Sequence, residues 1–170
     1  GVDVSAATAA AMAGEVPLDA IYAERIRLVA PTAEDLDWLV GRYRATAVPG
    51  AAEVVAALGQ LGIQARVLSG GLFPAVAPFA FELGFPEDSV DAVPYDSSDP
   101  GGAESSAKHP LARKGGKTEV VRETCDRLGV DRERTLLVGD GASDLEAAEI
   151  VGLFAGFGGG VERPGIREAA

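Results

Sequence analysis

Three short runs of this sequence hold residue types whose spacing could do chemistry. Leu136-Leu137-Val138-Gly139-Asp140-Gly141-Ala142-Ser143-Asp144 sets Asp140 just past an apolar stretch and Asp144 at the start of a helical pattern. Two carboxylates so placed suit a hard cation such as magnesium, which takes oxygen ligands. Val67-Leu68-Ser69-Gly70-Gly71 offers a hydroxyl and backbone N–H groups that the glycines open to an anion. Gly115-Gly116-Lys117-Thr118 lies between them in the chain, and Lys117 would open a helix. A lysine at the positive end of a helix dipole is badly placed unless a local anion receives it.

Each run also has a plain reading. A serine before glycines is often only a strand-to-helix turn. Asp144 alone is an ordinary first-turn acid, and Lys117 alone is an ordinary solvated charge. The ordered set, with two runs at strand ends and helices behind them, is harder to reach by chance. Two other motifs fail on inspection. A phosphate-binding P-loop needs a glycine five residues before Gly116, where Leu111 stands, and a strand just ahead of it. A dinucleotide fingerprint over Gly156 and Gly158 needs its third glycine at position 161, which is Val161.

Composition narrows the chemistry further. His109 and Cys125 are the only residues of their types, so a zinc cluster, a histidine-based triad and an internal disulfide all lack parts. Cys125 falls in a helical pattern and reads as a packing residue. The formal net charge of -11 repels nucleic acid and anionic membranes, so neither is an expected partner. No apolar run is long enough to span a bilayer. Gly1-Val2-Asp3 and the residues after it lack the basic leader of a signal peptide.

The elements that must position these runs follow from the hydrophobic pattern. Residues 4–13 favour a helix, and a second begins after Pro17 with Ile21, Ile26 and Leu28 on one stripe. Thr32 is a suitable N-cap for a third, with acids in its first turn. Residues 1–47 thus read as a small helical unit, closed by the break at Val48-Pro49-Gly50. Helices are expected over 51–61, 74–83, 117–128 and 143–151, with a last one after Pro164. Strands are expected over 63–68, 90–95, 135–138 and 153–157, and residues 96–116 read as an exposed polar loop or weak hairpin. Helices alternating with apolar strands predict an α/β fold: a Rossmann-like parallel sheet with helices on both faces. Ligands of such sheets bind at the carboxyl ends of the strands, where Ser69 and Asp140 fall.

Ser69, Lys117 and the Gly139–Asp144 run together resemble motifs II, III and IV of the haloacid dehalogenase superfamily. Residues 11–29 resemble the helical cap of its phosphoserine phosphatase family, and residues 104–121, 138–148 and 156–170 resemble that family's later core. The resemblance implies a helical cap over residues 1–47 on an α/β core over residues 48–170. It implies magnesium-dependent hydrolysis of a small phosphomonoester, phosphoserine, by a cytoplasmic homodimer. Ser69 and the N–H of Gly70 would hold phosphoryl oxygens, with Ser143 nearby. Lys117 would neutralise the phosphoryl group, Asp140 would ligate magnesium, and Asp144 would support both. Arg25 would grip the substrate carboxylate, while Met12 and Leu18 close the pocket; Leu18 stands where an aromatic is more usual.

The family's first motif, an apolar strand ending in DxDx[TV], has no match in the sequence. Asp3-Val4-Ser5 is nearest but lacks the second aspartate. The resemblance puts that motif's nucleophilic aspartate on a central strand between the Val67 and Leu136 strands. The expectation is therefore a longer polypeptide with the motif ahead of Gly1, and a further strand or helix after Ala170. Two other readings stay open: a related phosphomonoesterase with a different substrate, and a non-catalytic module that binds phosphate or metal.

Overall fold

The computed structural model describes residues 18–159, together with 166 and 168. The expected helix over 4–13, the Asp3 region, Met12 and most of the segment after Pro164 lie outside the described residues. The chain divides into two compact units. One is Val29–Ser106; the other holds the described residues before Val29 and from Ala107 onward.

In the Val29–Ser106 unit, helix α2 (Ala33–Ala45) starts as its sequence dictates. (Helix α1, Leu18–Val29, belongs largely to the other unit.) The Asp35 N–H donates to Thr32 Oγ1 at 3.2 Å, and the Thr32 N–H donates back to Asp35 Oδ2 at 2.9 Å. Two donors that a helix start leaves orphaned are thereby satisfied reciprocally. These bonds from Thr32 hold the Asp35 carboxyl below its ordinary pKa. A depressed acid stabilises the fold above its unfolded pKa, and that contribution is lost as pH falls through the folded one. Asp35→Ala should therefore lower Tm fully near neutral pH, with the gap from wild type narrowing below about pH 4. A gap that stays constant down to about pH 2 would show that the carboxylate charge plays no part.

Helix α3 (Ala51–Gln60) follows, then strand β1 (Val67–Leu72), helix α4 (Phe73–Glu82) and strand β2 (Val90–Val93). Leu36 and Val40 of α2 pack with Ala75 of α4, flanked by Leu39, Tyr43, Leu72, Phe79 and Tyr95. Burying Leu36 and Val40 stabilises this contact by about 1.5–3 kcal/mol each. Strand β1 pairs in parallel with β2, from Val67↔Val90 to Leu72↔Val93, with an irregularity between Ser69 and Leu72. The strand thus lies later than the expected 63–68. Its pairing starts only where β2 becomes available, after the short 3-10 turn of Glu87–Ser89. Ile63, the first residue of the expected strand, is 52% exposed.

The same unit ends with most of helix α5 (Gly102–Ala107). The other unit carries α1, with Tyr22 and Ile26 buried. Helix α6 (Gly116–Leu128), strand β3 (Leu136–Gly139), helix α7 (Ala142–Ala148) and strand β4 (Leu153–Gly156) complete it. Strand β3 pairs in parallel with β4 in unbroken register from Leu136↔Leu153 to Gly139↔Gly156. The described strands form two two-stranded sheets, β1-β2 and β3-β4, rather than the one expected sheet. Both pairs are parallel, with helices packed on them, as the alternating pattern requires.

Residues 96–116 depart from the expected exposed loop. They form α5 and a 3-10 turn at Pro110–Ala112, with Ala103, Ser106, Leu111 and Ala112 buried. The polar residues of this stretch hide a small apolar set too sparse to show a period. Ser106 is satisfied in the interior by donating its hydroxyl to the Pro94 carbonyl at 2.6 Å. Cys125 is buried as expected, and burial pushes its thiol pKa up.

Candidate active site

The turn after β3 is built around one buried carboxylate. Asp144, 5% exposed, accepts hydrogen bonds at Oδ2 from the N–H groups of Asp140 (3.2 Å) and Gly141 (3.0 Å). Its other oxygen, Oδ1, accepts from Lys117 Nζ at 2.5 Å. The two side chains are 15% and 8% exposed, lysine first, so the pair is poorly screened by solvent. Both oxygens of Asp144 are therefore engaged by the protein. The carboxylates do not act as an equivalent pair: Asp144 organises the turn, and Asp140 stands on it, half-buried.

Lys117 sits one residue into α6, at the positive end of the helix dipole. Asp144 is the anion that offsets this placement. Two glycines make the approach possible for separate reasons. Gly115 holds φ +72°, the left-handed region that favours glycine. A Cβ on Gly116 would lie 1.6 Å from the Pro110 carbonyl oxygen. The Gly115 N–H also donates to Glu146 Oε2 at 2.8 Å, and the Thr118 hydroxyl donates to the Glu146 carbonyl at 3.2 Å. Ser143 lies half-buried in the first turn of α7, between Asp140 and Asp144 in the chain.

In the Val29–Ser106 unit, Ser69 and Gly70 occupy the irregular end of β1. The Gly71 N–H donates to Ser69 Oγ at 3.0 Å. A Cβ on Gly71 would lie 2.9 Å from Val76 Cγ2, so glycine there lets the strand run straight into α4. Helix α4 starts at Phe73 with no side-chain cap on Leu72.

Arg25 lies on α1, half-buried, and its Nε is buried with no hydrogen-bond partner among the described residues. A guanidinium N–H so placed favours an incoming acceptor, because leaving it unmet costs about 1–3 kcal/mol. Tyr22, one turn away on α1, has its hydroxyl pKa raised, chiefly by burial. Leu18 opens α1.

The structure thus brings together Lys117, Asp140 and Asp144, with Ser143 next to Asp144 in the first turn of α7. It sets Ser69 and Gly70 at the end of β1. Two residues, one ending β3 and one on α7, gain a part that the sequence reading does not give them. A Cβ on Gly139 would lie 2.2 Å from Asp144 Cγ, and the available cue is its place between an apolar strand and an aspartate. Glu146 offers no cue, since a lone acid on a helix reads as solvated surface.

Among the described residues, no three His, Cys, Asp or Glu side chains gather as a cation cage. That donor set still fits magnesium, which keeps several waters and commonly takes only one or two protein carboxylates.

The family model for haloacid dehalogenase-like hydrolases matches residues 2–152. Human phosphoserine phosphatase is 31% identical over 170 residues, spanning 98% of this chain and 74% of the human one. A substrate-bound phosphoserine phosphatase complex superimposes with a TM-score of 0.80 at 26% identity, over 98% of this chain and 76% of that one. A structure described as a phospho-aspartyl intermediate analogue of phosphoserine phosphatase gives 0.79, also at 26% identity, over 98% and 77%.

Proposed function

The chain belongs to the haloacid dehalogenase-like hydrolases, and on that premise we propose that it hydrolyses O-phospho-L-serine to serine and phosphate. The observation that carries this reading is the Lys117–Asp144 pair fixed to the turn that bears Asp140. Similarity to human phosphoserine phosphatase over 98% of the chain supports the substrate.

Phosphoryl transfer needs positioning and neutralisation of an anionic transition state more than covalent work by the protein. Lys117 supplies a positive charge whose direction is set by Asp144. Ser69, the N–H of Gly70 and Ser143 are the proposed phosphate-binding groups. Asp140 would hold magnesium, which when bound neutralises charge on the phosphoryl oxygens. In the proposed route a carboxylate oxygen of the first-motif aspartate that the resemblance implies attacks phosphorus. The bond from phosphorus to the serine oxygen breaks, and a second aspartate protonates the departing oxygen. Water then cleaves the aspartyl-phosphate, releasing phosphate. The phospho-aspartyl analogue of the structural neighbour supports this route.

Residues 1–47 form the proposed lid, with Met12 and Leu18 closing over the substrate. Within the Val29–Ser106 unit, α2, the last helix of that proposed lid, packs on α4. Arg25 is the proposed cation for the substrate carboxylate, and its unmet buried Nε supports that role. A cytoplasmic setting, homodimeric assembly and a place in serine biosynthesis belong to the same proposal and rest on the resemblance. Among the described residues no helix is long and apolar enough to cross a membrane.

The test uses the full-length polypeptide with magnesium. Arg25→Ala should lower kcat/KM for phosphoserine about 100-fold, the scale of a lost carboxylate pair. For a phosphomonoester without a carboxylate the loss should stay within about threefold. Equal losses on both substrates would remove the assigned role of Arg25 and favour a related phosphomonoesterase. No turnover of either substrate by the wild type would favour a non-catalytic module.

A further inference from the structure

The structure holds a second link between α6 and α7, beside the Lys117–Asp144 pair and separate from it. Glu146 receives two hydrogen bonds from the start of α6. Its carboxylate accepts the Gly115 N–H at 2.8 Å, and its backbone carbonyl accepts the Thr118 hydroxyl at 3.2 Å. Gly115 and Thr118 bracket Lys117 in the sequence. Glu146 lies two residues beyond Asp144 on α7. Both ends of the helical turn that carries Lys117 are therefore tied to the element that carries its partner.

The link answers a physical need. Gly115 caps α6 without a side chain, so its N–H would otherwise rely on solvent. Gly115 and Gly116 also make the backbone before Lys117 unusually free in the unfolded chain. A lysine on four methylenes reaches its target only as well as its backbone is held. We propose that Glu146, with Thr118, is a positioning residue that sets Lys117 for phosphoryl transfer. This inference rests on the proposed phosphatase reading, and it predicts a geometric role that survives loss of the Glu146 charge. The substitution Glu146→Gln keeps an oxygen to accept the Gly115 N–H, and Glu146→Ala does not.

The experiment compares Glu146→Ala with Glu146→Gln in the full-length protein with magnesium. Two readouts are taken: steady-state kinetics on phosphoserine, and the NMR cross-peak of the Lys117 ammonium, assigned by its loss in Lys117→Met. Glu146→Ala should lower kcat about 10- to 100-fold with KM changed less than about threefold, the scale of a displacement near ~1 Å. It should also shift or broaden the Lys117 cross-peak. Glu146→Gln should restore both to near the wild-type values. If Glu146→Ala does not fold, Thr118→Val against Thr118→Ser tests the other half of the link, and only the valine variant should be impaired. Equal loss in both members of a pair, or an unmoved Lys117 cross-peak in Glu146→Ala, overturns the inference. If the wild type lacks phosphatase activity but the cross-peak follows this pattern, the positioning role stands and the phosphatase reading falls.

Discussion

Lys117→Met should lower kcat on phosphoserine by about 10²–10³-fold, the cost of one lost charge-stabilising donor. The substitution keeps most of the side-chain volume and removes the ammonium. It should also destabilise the fold. Asp144 Oδ1 loses its lysine donor while the carboxylate stays buried. Breaking a buried pair commonly costs about 3–5 kcal/mol. Here Oδ2 keeps the N–H groups of Asp140 and Gly141, so a loss of about 2 kcal/mol is expected. The two effects separate in a double variant. Lys117→Met with Asp144→Asn removes the stranded charge, and the amide oxygen still accepts the turn N–H groups. Thermal melting should recover most of the lost Tm, and kcat should not recover. If Lys117→Met keeps activity within about threefold of wild type, Lys117 is a structural ion pair and no more.

This pair shows how far the sequence could be read. Asp140, Asp144 and Lys117 are legible because they are charged residues in glycine-bearing runs at the edges of regular elements. The misplacement of Lys117 on the helix dipole points to an anion, and the structure supplies Asp144. The sequence does not reveal that Asp144 commits both oxygens within the protein. A carboxylate at a helix start looks the same whether it faces a cation or its own backbone. The parallel fold is legible for a similar reason, since apolar runs and helical stripes alternate with short connections.

The departures are local. Strand β1 starts at Val67 rather than Ile63, because Ile63 to Arg66 are as strand-like as Val67 to Leu72 and only β2 decides which of them pair. The segment over 96–116 reads as polar loop because most of its buried residues are small. Ala103, Ser106 and Ala112 carry little hydrophobic signal, yet they let the backbone pack closely. Glu146 is invisible in the sequence because its two bonds reach Gly115 and Thr118, residues remote along the chain.

Gly139 gives a harsher test of the turn than any charged residue does. A Cβ there would lie 2.2 Å from Asp144 Cγ, 2.3 Å from its Cβ and 2.6 Å from Oδ2. Asp144 has no room to yield. Its oxygens are tied to two backbone N–H groups and to Lys117. The strand has little room either, because Gly139 is paired with Gly156 and its carbonyl accepts the Phe157 N–H at 2.8 Å. Gly139→Ala must therefore push the carboxylate out of the turn or pull β3 out of register. Overpacking of this kind costs about 1–3 kcal/mol. Since Lys117 follows Asp144, kcat on phosphoserine should fall about 100-fold as well. A matched control is Gly41→Ala on α2, where an added Cβ meets nothing within 4 Å. That change should leave kcat alone and raise stability by about 0.5–1 kcal/mol, as alanine does inside a helix. Melting curves and kinetics on both variants decide the matter. If Gly139→Ala melts and turns over like Gly41→Ala, then Asp144 can relax away from β3, and the rigid turn is not what holds Lys117 in place.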